Sequence, residues 1–290
     1  MKKVLLMFFL VLFNSTFSFA DLTEGLVGYY RFDGNAYDES VNKNHGIVNG
    51  NIIYVEGVLN KAAYISSNQD SILINHINDI SFQKNQEYTT SILVNLDDYV
   101  PNGKYSKIFF KGIKSVGANY TLEMLTLDEK KYIYLNSDTR IVFDHPVNRW
   151  MHVVSLFRKN SGFEIYINGI KIGLDGSSTR HFFTSNSFLT IGNAIQYSNS
   201  YQWSGKVDDF RIYNRALSDS EIQDLLNFYS AVTGCIKLKN SPIQTGKATL
   251  MQSGHISQTV PLDTNGCYNF FRVNEEEPFS VMVRKTQAQN

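Results

Sequence analysis

The sequence predicts an all-β protein, a sandwich of antiparallel sheets closed by one C-terminal helix. Three observations lead there. Short apolar-rich runs cut by turn residues recur along most of the chain, the pattern of a β-sandwich. One stretch, "FEIYINGIKIG", reads as a complete hairpin, with Asn168-Gly169 supplying the positive-φ pair of a type I′ turn. Aromatics are abundant, with 17 Tyr and 20 Phe, and broad side chains suit the pleated faces of strands.

The first twenty residues are set apart as a signal peptide. "MKK" is a basic start, "VLLMFFLVLF" a short apolar run, and "SFA" offers small residues at a cleavage site. That run is shorter than the roughly 20 residues of a membrane span. The mature chain is therefore expected to begin near Asp21, without a membrane span, and to be exported: secreted, cell-surface or periplasmic. Loss of Lys2 and Lys3 leaves 25 basic against 27 acidic side chains. A near-neutral chain without a Lys/Arg block argues against nucleic acid and anionic membrane as partners.

In chain order, "GLVGYYRF" is an opening strand closed by "DGN". "SILVNL", "SKIFFKG", "YTLEMLTL" and "KYIYLN" follow, then "WMHVVSLFRK", the hairpin, "FLTIGNA" and "GKVDDFRIYN". The helix is expected from Asp219 to Tyr229. Ser218 is its N-cap, Glu221 completes a capping box, and Ile222, Leu225, Leu226 and Tyr229 recur at helical spacing. A boundary near Val232-Thr233 divides a large domain (21–230) from a small second β-sandwich (233–285). About 55 residues are marginal alone. Cys235 and Cys267 are the only cysteines, and export favours a disulfide between them. Two separate buried thiols are the alternative, and a metal pair has less support because no His-Cys cluster accompanies them. A bridge closing a loop of about 30 residues contributes roughly 3–4 kcal/mol in the chain-entropy model.

Four segments together resemble the laminin-G-like, concanavalin A-like jelly-roll domain of bacterial exported proteins: "GLVGYYRFDGNAYDESVNKNHGIVNG", "RWMHVVSLFRKNSGFEIYINGIKIG", "FLTIGNA" and "WSGKVDDFRIYNRALSDSEIQDLL". The tail, "GCIKLKNSPIQTGKATLM" with "TNGCYNFFRV", is similar to small carboxypeptidase-regulatory-like β-sandwich modules. The first resemblance implies that the opening and closing strands meet and that a structural calcium sits there. The matching positions are Asp33 and Asp209, with backbone oxygens from Asn44 to Gly46, and Asp38 as ligand or capping side chain. Calcium takes six to eight hard oxygens, so carboxylates and carbonyls from distant segments suit it. The competing reading makes Asp33 a turn residue bonded to its own backbone. It leaves Asp208 and Asp209 solvated, or pairs one with Arg211 or Arg31, since alternation sets Asp209 on the side of Arg211.

Catalytic signatures are sparse. His45, His76, His145, His152, His181 and His255 are scattered, with no HExxH zinc motif and no GxSxG elbow. Glu123 and Glu164 sit singly on their strands, whereas glycoside hydrolysis needs two carboxylates about 5–10 Å apart. For sugar binding, Tyr197, Tyr201 and Trp203 can stack on pyranose faces while Asn199 and Gln202 read hydroxyls. Trp203 as a core plug is the alternative. "DDYVPNGKYSK" (Asp97 to Lys107) is a second loop candidate. The expected function is non-catalytic binding outside the cell, with a glycan or a cell-surface or extracellular protein as partner. A polysaccharide-acting hydrolase or lyase and a structural or adhesive component are the other readings.

Overall fold

The computed structural model describes residues 22–75, 78–83, 85–113, 117–135, 139–175, 187–192, 204–235, 237–238, 241–242, 246–252, 255–262, 267–271 and 279–285. The predicted signal peptide and the Tyr197, Asn199, Tyr201, Gln202 and Trp203 loop lie outside these residues.

The large domain begins with β1 (Leu26–Tyr30), β2 (Ile47–Asn49), β3 (Ile53–Glu56), β4 (Lys61–Ile65) and β5 (Ser71–Ile74). After a 3-10 turn at Asn78–Ile80 come β6 (Tyr88–Leu96), β7 (Lys104–Ile113), β8 (Gly117–Leu127), β9 (Lys130–Leu135) and β10 (Thr139–Val142). β11 (Trp150–Arg158), β12 (Gly162–Ile167), β13 (Ile170–Asp175), β14 (Leu189–Gly192) and β15 (Gly205–Tyr213) follow, then helix α1 (Asp219–Tyr229). Two antiparallel sheets result. The first runs β13-β12-β11-β6-β15-β4-β3, with β1 also paired to β15; the second runs β10-β9-β8-β7-β14-β5-β2. This is a jelly-roll sandwich. Its opening and closing strands meet as expected, with Tyr29 opposite Arg211 and Tyr30 opposite Phe210.

The predicted hairpin forms between β12 and β13, and Asn168 and Gly169 both hold positive φ. Ile92, Val94, Phe109, Leu122, Ile165 and Phe210 fill the space between the sheets. A second apolar layer lies on the outer face of the first sheet. There Ile222, Leu225 and Tyr229 of α1 pack on Leu93, Val154, Leu156 and Tyr166. β6 is buried along its whole length because core covers one face and α1 the other, so "SILVNL" reads as a near-continuous apolar run. The helix starts as its capping box predicts: Glu221 N–H donates to Ser218 Oγ and Ser218 N–H to Glu221 Oε2.

The two sides of the sandwich differ. On one, β10 and β13 close together, and a Cβ on Gly173 would lie 2.1 Å from Ile141 Cδ1. On the other, β2 and β3 are edge strands, joined by the short link 50–52.

The chain passes from α1 directly into β16 (Ser230–Cys235). β17 (Lys237–Leu238), β18 (Ser241–Pro242), β19 (Gly246–Gln252), β20 (His255–Pro261), β21 (Cys267–Phe271) and β22 (Phe279–Lys285) follow. They form small sheets β16-β21, β17-β18 and β20-β19-β22. Cys235 and Cys267 are directly opposed residues of the β16–β21 pair.

Candidate functional site

β15 answers why two aspartates stand side by side in a strand. The register slips between Asp208 and Arg211, and Asp209 adopts φ of 47°. A bulge adds one residue and interrupts alternation. Val207 and Phe210 stay in the inner core while Asp208 and Asp209 are fully buried. Left-handed backbone at a non-glycine residue costs free energy, which surrounding contacts must offset. Asp209 has them: its Oδ1 accepts Arg211 Nε and the Tyr229 hydroxyl, both at 2.7 Å, and its Oδ2 accepts the Tyr29 hydroxyl at 3.0 Å.

Asp208 is held differently. Its Oδ2 accepts the N–H groups of Val58 at 2.8 Å and Leu59 at 3.2 Å, and its buried Oδ1 finds no hydrogen-bond partner among the described residues. Burial, with the charges of Asp209 and Asp33 adding to it, pushes its carboxyl up to about 8. Asp33 grips the same turn, accepting Lys61 N–H at 2.9 Å and pairing with Arg31 at 2.7 Å. Thus Asp33 and Asp208, from opposite ends of the domain, clamp the 57–61 turn.

The expected calcium ligands do not converge. Asp38 spends both oxygens on the N–H groups of Tyr29, Ser40 and Asn44. The Asn44 carbonyl accepts the Tyr30 hydroxyl at 2.8 Å. Gly46 donates to the Ala36 carbonyl and is packed so tightly that a Cβ would lie 2.6 Å from Ile72 Cγ2. Asp209 already holds a guanidinium. Among the described residues no group of three or more His, Cys, Asp or Glu side chains could hold a metal ion. Asp33, Asp38, Asn44, Gly46 and Asp209, as placed, do not fit a calcium ion. The Asp209–Arg211 pair, the competing reading of the sequence, is what forms.

Two arrangements that resemble catalytic ones are closed off. Ser91 Oγ lies 2.8 Å from His152 Nε2, within nucleophile–base distance. Both residues are fully buried, His152 Nδ1 has no partner among the described residues, and burial lowers the imidazole to about 3. Glu123 is ion-paired with Lys107 on the second sheet. Glu164 is ion-paired with Arg158 and Lys171 on the first, so the two glutamates do not form a carboxylate pair.

The described site best suited to a ligand lies at one end of the sandwich, on the second loop candidate. Tyr99 is 47% exposed, and Lys131 Nζ stands 3.4 Å from its ring centroid, a cation–π contact. Lys131 pairs with Asp144 at 2.7 Å. Beneath lies His145, fully buried, its ring 5.9 Å from Tyr99 and neither nitrogen partnered among the described residues. Burial, then the Lys131 charge, lowers it to about 4, so at neutral pH it offers one donor and one acceptor. Thr126 stands opposite Lys131 on the neighbouring strand, its buried hydroxyl likewise unpartnered among the described residues. A backbone bond from Asn148 N–H to the Leu96 carbonyl joins the two loops, and one from Phe143 N–H to the Lys131 carbonyl carries the β9–β10 pairing on into the site. Sequence reading found Tyr99 through its loop. It missed Lys131, Asp144 and His145 because only tertiary pairing of β8, β9 and β10 brings them there.

The chain belongs to the concanavalin A-like lectin/glucanases superfamily, whose laminin G-type family model matches residues 66–223. Human adhesion G-protein coupled receptor D1 is 27% identical over 169 residues, a match spanning 57% of this chain and 18% of the receptor. Domain 4 of AbnA, a GH43 extracellular arabinanase from Geobacillus stearothermophilus in complex with arabinotriose, superposes with a TM-score of 0.55 at 22% identity. That match covers 69% of this chain and 98% of the domain. The binding domain of Paraclostridial Mosquitocidal Protein 1 gives 0.58 at 19% identity, covering 79% of this chain and 58% of that one. A Trypanosoma rangeli sialidase gives 0.51 at 18% identity, covering 70% of this chain and 32% of the sialidase. The chain thus spans a minor part of the receptor and of the sialidase. The structural likenesses show the fold.

Proposed function

We infer that this protein is an exported, non-catalytic binding protein that engages a carbohydrate at the Tyr99 end of its sandwich. The carrying observation is the half-exposed Tyr99 ring, flanked by the Lys131–Asp144 pair and set over an unpartnered imidazole, within a lectin-type domain. An aromatic face suits the apolar face of a sugar ring, and the surrounding polar groups suit its hydroxyls. Export brings with it a disulfide between the facing residues Cys235 and Cys267. The small β-sandwich module after Thr233 is read as a spacer or attachment unit.

The test is a glycan array followed by calorimetry on the full mature chain. Arabinan oligosaccharides and sialylated glycans belong in the panel, because domains of like fold have been solved with arabinotriose or described as interacting with gangliosides. Binding that is lost in Tyr99→Ala and weakened in Lys131→Ala supports the reading. Binding unaffected by both substitutions overturns this site, and release of reducing ends from a polysaccharide overturns the non-catalytic part. An adhesive role with a protein partner is favoured by the match to the adhesion receptor. It is the reading that remains if no glycan binds.

A further inference from the structure

The Tyr99 end of the sandwich holds a cation where a stacking sugar would lie. Lys131 Nζ stands 3.4 Å from the Tyr99 ring centroid, so the ammonium covers that face of the ring. Its side chain is only 21% exposed, whereas that of its partner Asp144 is 88% exposed. The pair is lopsided: a sheltered positive charge is answered by a carboxylate that stands in water.

Exchange is easy on those terms. An ion pair with a solvated partner contributes little, because water already serves the carboxylate. A ligand that brings its own carboxylate takes the place of Asp144 and keeps the sheltered ammonium neutralised. A neutral sugar has no such route: it must either push the ammonium off Tyr99 or leave the ion pair lying across the ring. The adjoining acids are occupied elsewhere. Asp98 accepts the Tyr99 N–H at 2.7 Å, and Asp97 accepts the Ser204 hydroxyl at 3.1 Å. Neutral His145, with neither nitrogen partnered among the described residues, adds an N–H that suits a carboxylate oxygen and a bare nitrogen that suits a sugar hydroxyl.

We propose that the sugar bound at this end is a sugar acid, a uronate or a sialate, whose carboxylate replaces that of Asp144 on Lys131 while its ring leans on the exposed part of Tyr99. The proposal rests on the carbohydrate reading above and narrows it. Asp144 is then a resident competitor: it occupies Lys131 in the empty protein and sets a threshold that neutral glycans do not cross. A carboxylate rather than a sulfate follows from the resident group, since Lys131 already holds one carboxylate oxygen at 2.7 Å.

Calorimetry on the full mature chain tests this. The probes are oligogalacturonate, oligoglucuronate and sialyllactose, each beside the same compound with its carboxyl groups reduced to alcohols, and a sulfated oligosaccharide of equal charge. A carboxylated probe is expected to bind at least about tenfold tighter than its reduced form, because a hydrogen bond to a charged group is at stake. Lys131→Gln should erase that difference. Asp144→Asn should tighten the carboxylated probe roughly two- to fivefold, the worth of an exposed ion pair. The two substitutions act in opposite directions, which a shared loss of folding cannot produce. Three results each overturn the sugar-acid class while leaving the carbohydrate reading in place: reduced forms that bind as tightly as carboxylated ones, a sulfated probe that binds tighter, or an Asp144→Asn protein that gains no affinity. Absence of binding to every glycan overturns both.

Discussion

The Tyr229 hydroxyl donates to the buried Asp209 carboxylate at 2.7 Å, joining the last residue of α1 to the bulge in β15. Arg211 and Tyr29 complete the knot, with the guanidinium 4.4 Å over the Tyr29 ring. Two substitutions separate its parts. Tyr229→Phe removes one donor from a buried carboxylate and should cost about 1–3 kcal/mol. Asp209→Asn leaves the Arg211 guanidinium buried without its counter-charge and should cost more, about 3–5 kcal/mol. Urea unfolding of the three proteins measures both, and equal losses would show that the charge pair adds nothing to the hydrogen bond.

Calcium removal should do little. Because backbone N–H groups, hydroxyls and guanidinium groups already fill the carboxylates of Asp33, Asp38 and Asp209, EDTA is expected to leave the melting temperature of the wild type unchanged. A clear fall on chelation, absent in Asp209→Ala, would show that these carboxylates turn toward an ion when one is supplied.

Acid should destabilise the domain from just below neutrality. His152 has an ordinary value of 6.5 lowered by burial to about 3, so the unfolded chain takes up the proton first. Its contribution is complete above pH 6.5 and drains away as the pH falls from there toward 3. Glu221 is lowered from 4.5 to about 2, chiefly by Arg215, and its contribution is lost between those values. Unfolding free energies at pH 7.5 and pH 5 should therefore differ in the wild type. The difference should shrink in His152→Gln; an unchanged difference would remove His152 as the cause.

The cysteine pair gives the fourth prediction. Thiol labelling of the unfolded, unreduced mature protein should find none free, and reduction should expose two. Loss of the bridge should destabilise strands β16 and β21 by about 3–4 kcal/mol on the chain-entropy account. Labelling without reductant would mean that opposed register alone does not bring the sulfurs together.

How far the sequence could be read follows from the range of each interaction. The Asn168-Gly169 turn and the Ser218/Glu221 capping box are settled by residues within four positions of each other, and both form as expected. β2 to β5 and β10, three to five residues each, were too short for alternation to register. The meeting of β1 with β15 followed from resemblance, but the partners did not. Period-two reasoning rightly put Asp209 with Arg211 while missing that a bulge also buries Asp208, because nothing local announces left-handed backbone at an aspartate. Likewise the Tyr99 end draws Lys131, Asp144 and His145 from strands whose neighbours only the sheet order decides.

The domain's two ends come together at one seam. The entering chain is tied to the exit at Glu24, whose carbonyl accepts Arg215 Nε, and β1 lies against β15. The departing chain is fastened by Tyr229, one residue before β16 begins. A tug between the two ends of the domain is therefore carried by the β1–β15 pairing and these side-chain ties. The load then enters the sheet at β1 and β15, two strands that carry none of Tyr99, Lys131, Asp144 and His145.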